Sequence, residues 1–134
     1  MHKEDAYEPV PKEYQEAARL AVDAAMAVHR NLGPGLLESV YQSCMVYELR
    51  KRGAKVKTEV NLPVIYDGVH LDAAFRIDVL VNGCLIVELK AVDELTDLHL
   101  AQVLTYLKLS GHRLALLINF NARLLKQGIK RVII

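Results

Sequence analysis

The sequence predicts an α/β sandwich: two helices, three antiparallel strands, a right-handed βαβ crossover and one last strand. Two observations predict it. Apolar residues recur at helical spacing over residues 13–52 and 97–110, whereas short apolar runs bounded by turn signals fill residues 55–91 and 113–134. The run at residues 113–120 is apolar on both faces, which suits an interior strand parallel to its neighbour.

The first 12 residues are polar, contain Pro9 and Pro11, and read as a flexible N-terminal arm; residues 13–134 read as one domain. From Glu13, Ala17, Leu20, Ala21, Ala24, Ala25 and Val28 form a helical stripe that Gly33-Pro34-Gly35 ends. A second helix covers about residues 36–52, with Arg50, Lys51 and Arg52 in its last turn and Gly53 as its cap. Residues 55–66 form a strand whose Pro63 signals an edge or a bulge. Asp67-Gly68 turns the chain into an antiparallel strand over 69–81, and a hairpin at Asn82-Gly83 leads into the strand at 84–91. Thr96 or Asp97 caps a third helix, which Gly111 ends, and residues 129–134 form the final strand.

With 52% hydrophobic residues, the chain is a folded protein, and no apolar run reaches the roughly 18–20 residues of a membrane helix. No secretory h-region stands near the start, and Cys44 and Cys84 are isolated, so a cytoplasmic protein with reduced cysteines is expected. A net charge of +1 does not mark a nucleic-acid binder. The charge is uneven, however: Arg50, Lys51, Arg52, Lys55 and Lys57 form one basic run, and Lys126, Lys130 and Arg131 another. Such runs are solvated surface or phosphate-contacting patches.

The hairpin over residues 75–92 carries the candidate chemistry. Arg76, Asp78, Glu88 and Lys90 interrupt two strands that are otherwise apolar. The period of two puts Glu88 and Lys90 on one face, and a buried carboxylate costs several kcal/mol unless it is paired or bound to a metal. A two-residue Asn82-Gly83 turn would pair Asp78 with Val87 and leave Glu88 on the opposite face. A three-residue loop, Val81-Asn82-Gly83 with a bulge at Gly83, would instead place Asp78 opposite Ile86 and diagonal to Glu88. A shared metal requires that bulge or an equivalent offset, and the offset is predicted.

Asp78 and Glu88 suit a hard cation, Mg²⁺ or Mn²⁺, which would polarise a phosphoryl oxygen and activate water. Lys90 would position that water or stabilise phosphate charge. The five histidines lack zinc-ligand spacing, and no GxGxxG, GxxxxGK[ST] or GxSxG motif occurs. Arg76 shares a face with Asp78 by strand parity, so a salt-bridge network closed by Lys90 and Arg76 without metal is the rival arrangement.

Gly35-Leu36-Leu37-Glu38-Ser39-Val40-Tyr41 resembles the GxxExxY signature of a group of small prokaryotic proteins in the PD-(D/E)xK nuclease superfamily. The resemblance runs from about His29 to the C-terminus through VHRNLGPGLLESVY, FRIDVLV, VELKAV, LTYLKLSG and LLINFN. It implies a restriction-endonuclease-like αβββαβ core, a mixed central sheet flanked by helices, with an extra N-terminal helix and C-terminal strand. It also implies that Asp78, Glu88 and Glu38 hold the metal and that these three with Lys90 form the catalytic set. Gln102-x-x-x-Tyr106 looks like the QxxxY motif of RecB-like members, beside the active site and nucleic acid; Tyr41 and Arg76 join these two as expected substrate contacts. Ile77 stands where the superfamily's label has proline. The implied activity is metal-dependent hydrolysis of phosphodiester bonds in DNA or RNA, with a homodimer or protein partner supplying specificity. The alternative is a catalytically inactive module that binds nucleic acid or protein through the same fold.

Overall fold

The computed structural model describes residues 9–134, apart from the side chains of residues 72–74. Of the expected arm, residues 1–8 therefore lie outside the described residues. The elements are α1 (Lys12–Leu32), α2 (Glu38–Lys51), β1 (Val56–Tyr66), β2 (Val69–Val81), β3 (Leu85–Lys90), α3 (Asp97–Ser110), β4 (Leu114–Asn119) and β5 (Ile129–Ile133), with a 3-10 turn at Leu125–Gly128 before β5. This is the expected order. Five strands form one sheet in the sequence β1-β2-β3-β4-β5, in which β3 and β4 are parallel and every other pair is antiparallel.

Small residues set the first layer. Ala17, Ala21, Ala24 and Ala25 are fully buried on α1, which lets the helix backbone approach the sheet closely. Tyr41, Met45 and Leu49, one turn apart on α2, complete that layer against Val79, Val87, Leu89, Leu116 and Ile118. On the other face, Val103, Tyr106 and Leu107 of α3 pack on Ile77, Leu80, Ile86, Ala115 and Leu117. β4 is buried throughout, between β3 and β5, as its two-sided apolar sequence requires. Pro63 lies on the edge strand β1 at a register shift between Leu62 and Val64, so both readings of that proline hold.

The β2–β3 connection has the expected three-residue offset but not the expected residues. Val81 pairs with Leu85, so the loop is Asn82-Gly83-Cys84 rather than Val81-Asn82-Gly83. Asn82 and Gly83 both take positive φ, 53° and 69°, and the Cys84 N–H donates to the Val81 carbonyl at 3.1 Å. Two left-handed residues close a tight turn by themselves, which makes Cys84 the extra residue. Pairing continues through Leu80–Ile86 to Val79–Val87, and the next positions in that register are Asp78 and Glu88. Asp78 thus comes opposite Glu88, not Ile86.

A second irregularity lies beside it. Val79 belongs to the core under α1 and α2, yet Ile77, two residues away, belongs to the core under α3. Across the ladder, Val56 packs in the first core and Val60 against the second. Strands alternate with period two, so both chains must turn over between these residues. They do so at Glu59, whose φ is 51°, and Asp78, between the pairs Thr58–Val79 and Val60–Ile77.

The link into β5 leaves no room for a side chain. A Cβ on Gly128 would stand 2.5 Å from the Asn119 carbonyl oxygen and 3.0 Å from the Ala122 Cβ. Gly128→Ala is expected to cost about 1–3 kcal/mol, read as a lower urea midpoint at unchanged m-value. An unchanged midpoint would contradict this packing.

Candidate active site

The site begins where the β2–β3 ladder stops. Beyond Val79–Val87 the strands diverge, and carboxylates replace carbonyls as acceptors. The Asp78 N–H donates to the Glu88 carboxylate at 2.7 Å, and the Leu89 N–H donates to the Asp78 carboxylate at 2.9 Å. Each acid is therefore fixed by a strand backbone and retains a second carboxylate oxygen. Glu88 is only 2% exposed and lies on β3 beside Ile86, on the α3 face by alternation. Asp78, at the turnover, instead lines a hollow of about 250 Å³ with Glu38, Ser39 and Gln42 of α2, Glu59 of β1 and Leu89. The two acids meet across the sheet's open end rather than along one face.

Helix α2 brings Glu38 to this hollow. The α1–α2 loop is pinned by Tyr41, whose hydroxyl donates to the Gly33 carbonyl at 2.6 Å and accepts from the Leu36 N–H at 3.1 Å. Its ring is fully buried and stacks on Phe120 at 4.6 Å between centroids. Tyr41, expected to contact substrate, thus spends its hydroxyl on the loop that sets Glu38 in place. Arg76 is exposed on β2.

Lys90 does not neutralise the acids by contact. Its ammonium donates to the Gln102 side-chain oxygen on α3 at 3.3 Å, and it lines a separate hollow of about 410 Å³ with Phe75, His99 and Gln102. Among the described residues the ion pairs join Arg19 to Glu16 and Asp23, and Arg52 to Glu48; none reaches Asp78 or Glu88. The network that would close the site on Lys90 and Arg76 is not formed. Tyr106, one turn beyond Gln102, is 4% exposed and packs edge-to-face on Phe75 at 5.7 Å.

Electrostatics follow from this geometry. Burial, opposed by the Leu89 N–H bond, raises Asp78 to about 6, with Glu38 and Glu59 adding to the rise. Burial and then the Asp78 charge raise Glu88 to about 9. The Tyr106 phenol is pushed up to about 12, first by burial and then by the charges of Glu88 and Asp78. The carboxylate pair therefore holds about one proton at neutral pH.

Such a pair fits a hard divalent cation: two fixed carboxylate oxygens remain, and Lys90 attracts both acids through space without an ion pair to either. Among the described residues, no three His, Cys, Asp or Glu side chains converge as a ready-made cage. An ion would rest on Asp78 and Glu88 and draw its other ligands from water, backbone and substrate.

A model of the PD-(D/E)XK nuclease superfamily matches residues 15–132. The chain belongs to the PD-(D/E)XK nuclease superfamily. No curated protein and no solved structure matches it. The nuclease assignment agrees with the sheet and its flanking helices, which are those of a restriction-endonuclease-like fold. Superfamily nucleases are generally dependent on a divalent metal, which agrees with the donor set at Asp78 and Glu88. Among the described residues, no helix of this nuclease domain is long and apolar enough to cross a membrane.

Three further residues of the site were not singled out from the sequence. Gln42 donates to Glu59 at 3.1 Å and to the Asp78 carbonyl at 3.0 Å, tying α2 to both turnover points. It sits one helical turn after Glu38, a spacing that could have marked it. Glu59 has no comparable signal, because its place depends on the break in β1. Asn119 is 4% exposed; it accepts from the Val92 N–H at 3.1 Å and donates to the Val92 carbonyl at 2.9 Å, clamping the chain that leaves Lys90. A polar residue ending the apolar run LALLIN was its readable sign.

Both raised acids hold protons more tightly in the folded than in the unfolded chain. Metal-free stability is then fully present in acid, and falls as pH rises from about 4, the ordinary carboxylate range, through about 6 to about 9. Urea titrations in EDTA at several pH values should show this decline, and Glu88→Gln should flatten it. A wild-type stability that rises from pH 5 to 9 would contradict the assigned burial.

Proposed function

We propose that the protein is a Mg²⁺- or Mn²⁺-dependent nuclease that hydrolyses phosphodiester bonds of DNA or RNA. The observation that carries this reading is the pair of half-buried Asp78 and buried Glu88, held oxygen by oxygen on strand backbones and joined to no cation by an ion pair. Asp78 and Glu88 would hold the cation, and Glu38, across the hollow on α2, would act on it through a bound water. A divalent ion bound there supplies Lewis-acid polarisation of a phosphoryl oxygen and lowers the pKa of its water.

The other roles belong to side chains. Lys90 presents its ammonium to the attacking water or the phosphate, and Gln102 orients Lys90 from α3. Tyr106 supports Phe75 from below and stays a neutral phenol. Arg76, Lys51, Lys55 and Lys57 are exposed and suited to phosphate contacts, which would make binding salt-dependent. The narrower GxxExxY assignment is supported by how its three residues serve the site. Gly35 takes a φ of 96° in the loop, Glu38 reaches the hollow and Tyr41 holds the loop. The site we propose is cytoplasmic in setting, and target specificity is supplied by a second copy or a partner.

Cleavage of supercoiled plasmid and of single-stranded DNA and RNA in Mn²⁺ tests this reading. Asp78→Asn and Lys90→Met are expected to lower the rate by about 10²–10³-fold, and Gln102→Ala by about tenfold. Purified protein that cleaves none of these substrates, or cleavage that survives Asp78→Asn, would overturn the nuclease reading in favour of a binding module.

A further inference from the structure

A second feature lies outside the carboxylate site. Between the C-terminal half of α1, the 3-10 turn and the outer strand β5 are two hollows of about 440 and 470 Å³. Both are lined by Met26 and Lys126, so they form one trough. Its rim carries Arg30, Arg123, Lys126, Lys130 and Arg131, and among the described residues no acidic one lines it. The whole chain has a formal charge of only +1, so without these five cations the remainder is net acidic. Among the described residues none of the five forms an ion pair. The floor is apolar: Met26 and Leu124 are 38% and 63% exposed, flanked by Val22 and Ile129.

We infer that this trough binds an acidic segment of a partner protein, with an apolar side chain seated over Met26. Charge complementarity selects acidic groups and steers their approach. The apolar floor selects the rest: a polyanionic nucleic-acid backbone satisfies five cations but leaves two apolar hollows wet, whereas Leu, Ile, Met or Phe between Asp and Glu fills them. The outer edge of β5 borders the trough and has no neighbouring strand among the described residues, so an extended segment can also use backbone hydrogen bonds there. This inference is independent of the nuclease reading.

The test is selection from a phage-displayed random peptide library on the full chain, with counter-selection on the double variant Met26→Glu, Lys126→Glu. Both positions face solvent at the trough, and circular dichroism checks that the variant is folded. The enriched peptides are expected to place Asp and Glu around a large apolar residue. Their affinity, by fluorescence anisotropy, is expected to fall at least tenfold in the double variant and on raising salt. A control variant, Asp78→Asn, should leave it unchanged. Failure to enrich trough-dependent peptides, or enrichment of non-acidic ones, would overturn the inference. So would a DNA or RNA oligonucleotide, or a second copy of the chain, proving to be the ligand that the same double variant loses.

Discussion

The site depends on one constraint: β1 and β2 turn over together at Glu59 and Asp78. A regular strand would have continued to alternate, and Asp78 would have followed Leu80 into the core under α3. Turning over frees Asp78 to face the hollow under α2 while its N–H still reaches the Glu88 carboxylate across the ladder. The left-handed conformation of Glu59, a residue with a Cβ, is the local cost. Gln42 bridges both turnover points from α2, so the break is tied to a helix as well as to the sheet.

Around that break the structure spends its buried polar groups on holding chain segments in place. Tyr41 fixes the loop before Glu38, and Asn119 fixes the segment after Lys90. Each satisfies backbone groups that no helix or strand would otherwise pair. The two acids and Lys90 thus come from two strands, Asp78 from β2 and Glu88 and Lys90 from β3, with Glu38 facing Asp78 from α2. Two carboxylates drawn together in and beside the core without a contact ion pair are unfavourable for the fold alone, an arrangement characteristic of functional sites.

Much of this was legible in the chain. Helical spacing, the break at Gly33-Pro34-Gly35 and the two-sided apolar run of β4 are local signals, and they place every element within a few residues. Asp78, Glu88 and Lys90 stood out because charge interrupts apolar strands. The need for an offset was also legible, since a simple two-residue turn would have separated the acids. What failed was detail set by tertiary context. Asn82 and Gly83 together close the turn, which moved the extra residue to Cys84 and the partner of Asp78 from Ile86 to Glu88. The strand turnover has no period of its own, so Glu59 was invisible. Tyr41 could be recognised as important but not assigned, because a tyrosine that binds substrate and one that binds a loop look alike in sequence.

The most direct test of the central claim is calorimetric titration of Mn²⁺ into the protein near neutral pH, in two buffers of different ionisation enthalpy. Two acids whose pKa values are raised and which coordinate the ion must give up the proton they hold on binding. The account predicts one ion bound with about one proton released, and neither for Glu88→Ala. Binding without proton release, or unaltered binding by Glu88→Ala, would contradict it, as would no binding at millimolar metal.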